Sequence, residues 1–369
     1  MITERTSLGL DVHARSVSAA AIDTLTGEVI QRRLDGEYSH TIDLASRLAA
    51  EHGPLLITYE AGPTGFGLAR ELTAAGHRVQ VAAPSKLARP AGQRVKTDRT
   101  DAMFLAECAL NGTITPVRIP TLAQEGARDL VRARDDARTD LMAARHRLSK
   151  MLLRRGWVYP GKTTWGPAHD AWLRALRRED VPALGAGATA AFDDAYDTVT
   201  HALARRDRLD TAIAALAADS EFTPVTARLS CLRGISTLTG FALAVEIGDW
   251  HRFTGATIAS YLGLVPCEHS SGQTRTQGGI TKTGNTHARR LLTEAAWQHK
   301  SPYRPGPALR AAWAKVPGDV ATRADTGNRR LNRRWQTLAS HHKRHTIANT
   351  AIARVDRPGC GGGSESTEG

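Results

Sequence analysis

Ser7-Leu8-Gly9-Leu10-Asp11-Val12-His13-Ala14-Arg15-Ser16-Val17-Ser18-Ala19-Ala20-Ala21-Ile22, continuing through Asp23-Thr24-Leu25-Thr26-Gly27-Glu28 to Val29-Ile30-Gln31-Arg32-Arg33-Leu34, reads as three short apolar runs separated by turns. Asp23 to Gly27 supplies hairpin-turn chemistry, so the stretch is expected to form an antiparallel three-strand meander. Asp11 stands inside the first run. A carboxylate there is costly to bury unless it is paired or bound to a metal.

Outward from this meander the pattern alternates. A helix is expected from about Ser39 to Glu51, a strand over Leu55 to Tyr59 running into Glu60, a helix from about Phe66 to Ala75, a strand over Val79 to Ala82, and a helix beginning near Asp98. Three hairpin strands followed by alternating helix and strand make a mixed sheet covered by helices, an order that matches the ribonuclease-H-like (RuvC-like) fold. Glu60 ends its strand just before the Ala61-Gly62-Pro63 break, where sheet folds place ligand and catalytic groups. In Lys96-Thr97-Asp98-Arg99-Thr100-Asp101-Ala102, two acids three residues apart share one face of a first helical turn. Taken alone, that pair is equally well a set of acids favoured by the helix dipole. Asp11, Glu60, Asp98 and Asp101 are expected to converge at one end of the sheet, and four carboxylates in one place imply hard divalent cations clamping a phosphodiester.

The formal net charge of the 369 residues is +12, with 41% hydrophobic and 23% charged residues, which points to a globular chain whose commonest partner is nucleic acid. Cys108, Cys231, Cys267 and Cys360 lie far apart without paired zinc spacing, as expected in a reducing cytoplasm. A polar start and the lack of any long apolar run predict neither a signal peptide nor a membrane span.

From about Leu122 to Arg155 a charged helix carries a narrow stripe of Ala137, Leu141, Ala144, Leu148 and Met151. A partner helix is expected from about Thr189 to Asp219, giving an antiparallel helical hairpin or an oligomerising coiled coil. The intervening segment 156–185 contains Trp157, Trp165 and Trp172 and has no role legible in the residues. The expected division is thus 1–120 for the sheet domain, 121–222 for the helical region, 223–350 for a mostly helical C-terminal domain, and 351–369 for a low-complexity disordered tail. Leu232 to Ala242 resembles a helix-hairpin-helix turn. A glycine-rich stretch follows, read as a mobile polar loop, with Ser270-Ser271-Gly272 and Gly279-Ile280-Thr281-Lys282-Thr283-Gly284-Asn285. Serine beside glycine is most often a plain turn residue. Asn328 to Trp335, with His341 to His345, reads as a basic helical arm, for which a solvated helix face is the plain alternative.

Leu8 to His13, Tyr59-Glu60-Ala61-Gly62, Lys96 to Ala102, Gly263-Leu264-Val265-Pro266, Ser270-Ser271-Gly272 and Gly279 to Asn285 together carry a resemblance. The chain resembles the DEDD-type insertion-sequence transposases, the bridge-RNA-guided recombinases, over about Leu8 to Trp297. The resemblance implies that Asp11, Glu60, Asp98 and Asp101 bind magnesium, as two ions for which manganese substitutes. It also implies that Ser271, or its neighbour Ser270, attacks a DNA phosphate and forms a transient phosphoserine link. Donor and target DNA, a structured guide RNA and a homo-oligomer, dimeric or tetrameric, are the implied partners, with the helical hairpin bringing the catalytic parts together. Lys96, Arg99, Arg233, Ser270, Lys282, Asn285, Arg289, Arg290, Arg333 and Arg334 are the candidate nucleic-acid contacts.

Two other readings stay open at this level: a junction-resolving or DNA-cutting nuclease using metal-activated water, and a nucleic-acid-binding protein whose acids are inactive. An actin-like ATPase or sugar kinase also opens on such a hairpin, but it needs a second glycine-rich phosphate turn, and the sequence offers no convincing one.

Overall fold

In a computed structural model that describes residues 5–88, 97–271 and 274–354, with the backbone alone at 256, 269–271 and 274–276, the apolar runs of the opening stretch become strands. They are β1 (Thr6–Val12), β2 (Ser16–Asp23) and β3 (Val29–Asp35). Helix α1 (Tyr38–His52), β4 (Leu55–Glu60), α2 (Gly67–Ala74), β5 (Arg78–Ala82) and α3 (Asp98–Leu110) follow. The sheet order is β3-β2-β1-β4-β5, antiparallel through the first three strands and parallel from β1 through β4 to β5. This mixed five-stranded sheet is consistent with a ribonuclease-H-like domain. The chain divides into two compact units, one ending at Thr121 and the other starting at Leu122.

Strand alternation decides what each face of the first sheet carries. Leu8, Leu10, Val17, Ala19, Ile57 and Tyr59 point to the side covered by Leu44, Ala45 and Leu48 of α1 and Leu68 and Leu72 of α2. Burying each large aliphatic side chain there stabilises the unit by roughly 1.5–3 kcal/mol. The opposite face receives α3, and one residue permits its close approach. A Cβ on Gly9 would sit 2.1 Å from the Ala102 carbonyl oxygen and 2.6 Å from the Ala106 nitrogen. The Ser7 hydroxyl adds a hydrogen bond to the Ala106 carbonyl, at 2.9 Å.

The second unit is mainly helical. Helices α4 (Leu122–Arg154), α5 (Pro167–Glu179), α6 (Ala186–Ala218), α7 (Thr223–Ser230), α8 (Thr237–Ile247) and α9 (Gly255–Tyr261) precede a two-stranded antiparallel hairpin, β6 (Pro266–Ser271) and β7 (Thr274–Ile280). Helices α10 (Thr286–Ala296), α11 (Pro307–Trp313), α12 (Gly318–Ser340) and α13 (His345–Ala353) complete it. Arg134 pairs with Asp210 and Arg205 with Asp140, so α4 and α6 run antiparallel. Trp157, Trp165 and Trp172 of segment 156–185 close one end of this helical pair, packing with Leu173, Leu176 and Phe192.

Two expectations need correction. The glycine-rich stretch read as a mobile loop forms β6 and β7. Its residues alternate without an apolar face, so no strand signal stood out. The basic arm is helical with its arginines exposed, but its other face packs into the core: Leu331 and Trp335 are buried, and Asn328 is buried while donating to the Cys231 carbonyl and accepting from the Arg233 amide. His341 to Arg344 lie beyond the end of α12, outside any helix. The tail from residue 355, with Cys360, lies outside the described residues.

Glu246 at the end of α8 is fully buried. It accepts from Arg132 at 3.1 and 3.2 Å and from Asn285 Nδ2 at 2.7 Å, and its Oε1 lies 3.1 Å from His287 Nδ1. Burial pushes its pKa up, yet His287, Arg132 and Asn285 together bring it from the ordinary 4.5 down to about 2. The buried His299 is held low, to about 4, first by burial and then by the Arg233 charge.

Gly9→Ala is expected to destabilise the first unit by about 1–3 kcal/mol through overpacking against α3. Gly62→Ala, whose Cβ would have no neighbour closer than 3.8 Å, should leave the thermal midpoint nearly unchanged. Equal midpoints for the two variants would contradict the packing. Both low pKa values make the second unit acid-sensitive with the same sign. Below the ordinary 6.5 the unfolded chain protonates His299's counterpart before the native state does, and below 4.5 the same holds for Glu246. Stability should therefore fall in two stages between pH 6.5 and about 2, and Glu246→Gln should remove the second stage in a pH series of denaturant unfolding.

Candidate active site

Parallel pairing sets Leu10 of β1 beside Tyr59 of β4, so Asp11 and Glu60 occupy the next pair of positions at the C-terminal ends of neighbouring strands. Both fall on the face that α3 covers. The first turn of α3 brings Asp98 and Asp101 over the same end. Its cap is made by threonines: Thr97 Oγ1 accepts from the Thr100 amide at 3.3 Å, and Thr100 Oγ1 accepts from the Thr97 amide at 3.0 Å. The capping role is thus filled without either acid, and the two carboxylates stand on the sheet-facing side of the turn with Asp101 buried.

Asp11, His13 and Asp98 each offer a ligand atom, all within 4.8 Å of one another. His13 Nε2 lies 3.2 Å from Asp11 Oδ2 and 3.7 Å from Asp98 Oδ1. Burial raises the pKa of Asp11, the neighbouring Asp101 and Asp98 carboxylates raise it further, and His13 opposes them. A carboxylate kept from ionising freely by burial and by other acids has a donor set suited to a hard divalent cation. Glu60 lines the same open cleft, of about 1080 Å³, with Asp11, His13, Tyr38 and Pro63. The loop after Glu60 is shaped by hydrogen bonds from the Ala61 amide to the Ala82 carbonyl and from the Tyr59 hydroxyl to the Gly65 carbonyl.

His13 was absent from the residues singled out in the sequence. Its position two residues after Asp11 puts it on the same side of an extended chain, which is the signal that marks it.

In the second unit, Ser270 and Ser271 lie in the last positions of β6, with backbone opposite Arg275 and Thr274; their side chains, like the whole of Lys96, lie outside the described residues. The base of this hairpin is closed by two glycines in left-handed conformations. A Cβ on Gly263 (φ 62°) would sit 2.3 Å from the Thr283 carbonyl, and one on Gly284 (φ 72°) would overlap the Tyr261 carbonyl. The Lys282 amide donates to the Gly263 carbonyl and the Thr281 amide to the Val265 carbonyl. The glycines of the two sequence motifs therefore hold each other at the foot of the serine-bearing strand.

The candidate nucleic-acid contacts divide. Asn285 caps α10, accepting from the Ala288 amide, and binds Glu246. Arg289 donates to the Leu262 and Thr283 carbonyls, Arg233 to the Ser301 and Pro302 carbonyls, and Arg290 pairs with Asp135 and Glu294. These four groups fix the fold. Lys282 and Arg333 are exposed, Arg334 lines a groove with Pro266 and Ile347, and Arg99 lines a cavity beside Asp98.

Residues 8–155 match a family described as a transposase, of the DEDD type named for IS110, and residues 226–313 match the family described as "Transposase IS116/IS110/IS902 family". The y4qE transposase of Sinorhizobium fredii (strain NBRC 101917 / NGR234) is 35% identical over 309 residues, 84% of this chain and 75% of that protein. The transposase for insertion sequence element IS1533 of Leptospira borgpetersenii is 27% identical over 91% of this chain and 97% of its own length. The transposase for insertion sequence element IS1328 of Yersinia enterocolitica is 25% identical over 66% of this chain and 70% of its own. A chain whose first unit gathers acids from two strand ends and one helix start, and whose second unit holds a serine-bearing strand locked by glycines, thus belongs to the IS110/IS116 family of DEDD-type insertion-sequence transposases.

Proposed function

We propose that this transposase cuts and exchanges DNA strands through a transient phosphoserine link formed by Ser271, with Asp11, Glu60, Asp98 and Asp101 binding magnesium. The observation that carries the reading is the gathering of acids at one end of the sheet, with ligand atoms of Asp11, His13 and Asp98 within 4.8 Å. A divalent cation at such oxygens supplies Lewis-acid stabilisation of charge on a phosphoryl group. Asp11 and Asp98 would hold it, Glu60 and Asp101 would complete the donor set, and His13 would orient the Asp11 carboxylate.

The serine reading rests on the Ser270-Ser271-Gly272 motif and its setting on a strand with a rigid base. In the first step an Oγ–P bond forms and the P–O bond to the leaving deoxyribose oxygen breaks. Attack by the hydroxyl of an incoming strand reverses the exchange, and the number of P–O bonds is conserved without an external energy source. A serine hydroxyl is a weak nucleophile at neutral pH, which is why acid-bound cations acting on the same phosphate suit this chemistry. The net charge of +12 fits nucleic-acid partners, and guidance by a structured RNA follows from the family resemblance and from the lack of a recognition-helix motif in the sequence. No helix among the described residues is long and apolar enough to cross a membrane. Work on DNA in the cytoplasm by a homo-oligomer, dimeric or tetrameric, follows from the family resemblance.

Ser271→Ala should abolish covalent protein–DNA adducts and recombination together, as read on denaturing gels; adducts that persist would move the nucleophile, first to Ser270. Hydrolysed ends without any adduct in the parent protein would favour the water-using nuclease. Asp11→Asn should weaken manganese binding and strand cutting by at least about 100-fold, and His13→Ala should weaken binding by roughly 10–100-fold. Because the pKa of Asp11 is raised, protons compete with the cation to higher pH than at an ordinary carboxylate. Manganese affinity should therefore rise with pH through that titration, and a flat calorimetric profile would count against this donor set.

A further inference from the structure

A second cavity of the first unit, of about 620 Å³, lies between the edge strand β3 and the start of α3. Its walls include Ser18, Gln31, Arg32, Arg33, Asp98 and Arg99. Strand register places it relative to the acids: Asp11 pairs with Ser18, and Ser18 pairs with Arg33, so the three form one row across β1, β2 and β3. Two strand spacings separate Asp11 from Arg33, about 10 Å. A DNA strand carries a phosphate about every 3.4 Å of helix rise, so that distance is covered in roughly two or three nucleotides.

The charges of this cavity are kept available. Arg99 donates through Nε to the Gln31 side-chain oxygen, a neutral partner, and Arg32 donates to the Gln31 carbonyl at 2.9 Å. Arg33 is exposed and has no ion-pair partner among the described residues. This contrasts with Arg132, Arg134, Arg177 and Arg290, each paired with an acid. Arg33 and Arg99 line one concavity, neither paired with an acid among the described residues, and guanidiniums have the fork geometry that grips phosphate oxygens. Asp98 lines the same cavity while lying close to His13, so it marks where a cation-binding region gives way to an anion-binding one.

We propose that Arg33 and Arg99, with Gln31 and Ser18, form a phosphate site for the DNA strand whose reacting phosphodiester lies at Asp11. The site sets the position of that strand two to three nucleotides from the reaction, and it rests on the proposed role of the acids. No base edge is read there, so its contribution is independent of sequence.

The test is a salt titration of the full chain binding a fluorescein-labelled DNA oligonucleotide, followed by anisotropy without divalent cations. Arg33→Ala and Arg99→Ala should each flatten the slope of log affinity against log salt by about 0.7–0.9. Arg33→Lys should keep the slope, and Arg47→Ala, on the exposed side of α1, should match the parent. If Arg33→Ala lowers the thermal midpoint, Arg33→Gln gives the slope in a folded protein. Parental slopes in folded Arg33 and Arg99 variants would overturn the site, as would a slope lost only with an RNA oligonucleotide of the same sequence. Asp11→Asn separates the two readings. Cutting abolished by Asp11→Asn with parental slopes at Arg33 and Arg99 removes the phosphate site alone, whereas cutting retained by Asp11→Asn removes the proposed role of the acids and this site's place beside them.

Discussion

The contact on which the first unit depends is the approach of α3 to β1 at Gly9. With any side chain there, the helix would be displaced outward, because its backbone at Ala102 and Ala106 already fills the space a Cβ needs. Asp98 and Asp101 ride on the first turn of that helix, while Asp11 ends the strand beneath it. The distance between acids on different elements is therefore set by a missing side chain. Burial of the two hydrophobic faces supplies the energy that holds helix and strand together, but the glycine sets the spacing.

That spacing brings like charges together, and the protein leaves the repulsion in place. Burial and two carboxylates act against the ionised form of Asp11, and His13 acts for it. The helix cap could have consumed Asp98 or Asp101, yet Thr97 and Thr100 take that work between them. With threonines as the cap, two acids face a third, a donor set that suits a hard divalent cation. The basic cavity on the other side of Asp98 extends the same logic to the anion that such a cation would accompany.

Much of the first unit was legible because its signals are local and redundant. Short apolar runs bounded by turn chemistry located the meander strands and β4, and acids interrupting such runs or ending them stood out. The second unit was harder for identifiable physical reasons. Strands β6 and β7 contain few apolar residues, so their polar alternation was indistinguishable from a loop. Helix α12 exposes Arg323, Arg329, Arg330, Arg333 and Arg334, and its core face is carried by Val320, Ala324, Asn328, Leu331 and Trp335, a stripe with a polar residue at its centre that the charges outweigh. Arg233, Arg289 and Asn285 looked like ligands for phosphate because their real partners are backbone carbonyls and a buried glutamate far away in sequence. His13 was hidden for the opposite reason, being an exposed residue whose meaning comes only from Asp11 and Asp98.

Glu246 and Asp11 show how the two kinds of buried carboxylate are told apart. Both lose water, and for both that loss is the largest single influence, pushing toward the protonated form. At Glu246 the protein answers with a guanidinium, an amide and an imidazole, enough to reverse the sign and bring the pKa to about 2. At Asp11 it answers with one imidazole and two further acids, and the sign stays upward. The first carboxylate is satisfied within the chain, so its role is to hold Asn285 and the start of α10 in place. Among the described residues only His13 favours the ionised form of the second, a setting that accords with the divalent metal use suggested by the DEDD-type domain. Sequence spacing cannot make this distinction, since each acid sits at the end of an apolar run; only the inventory of partners around the buried oxygen does.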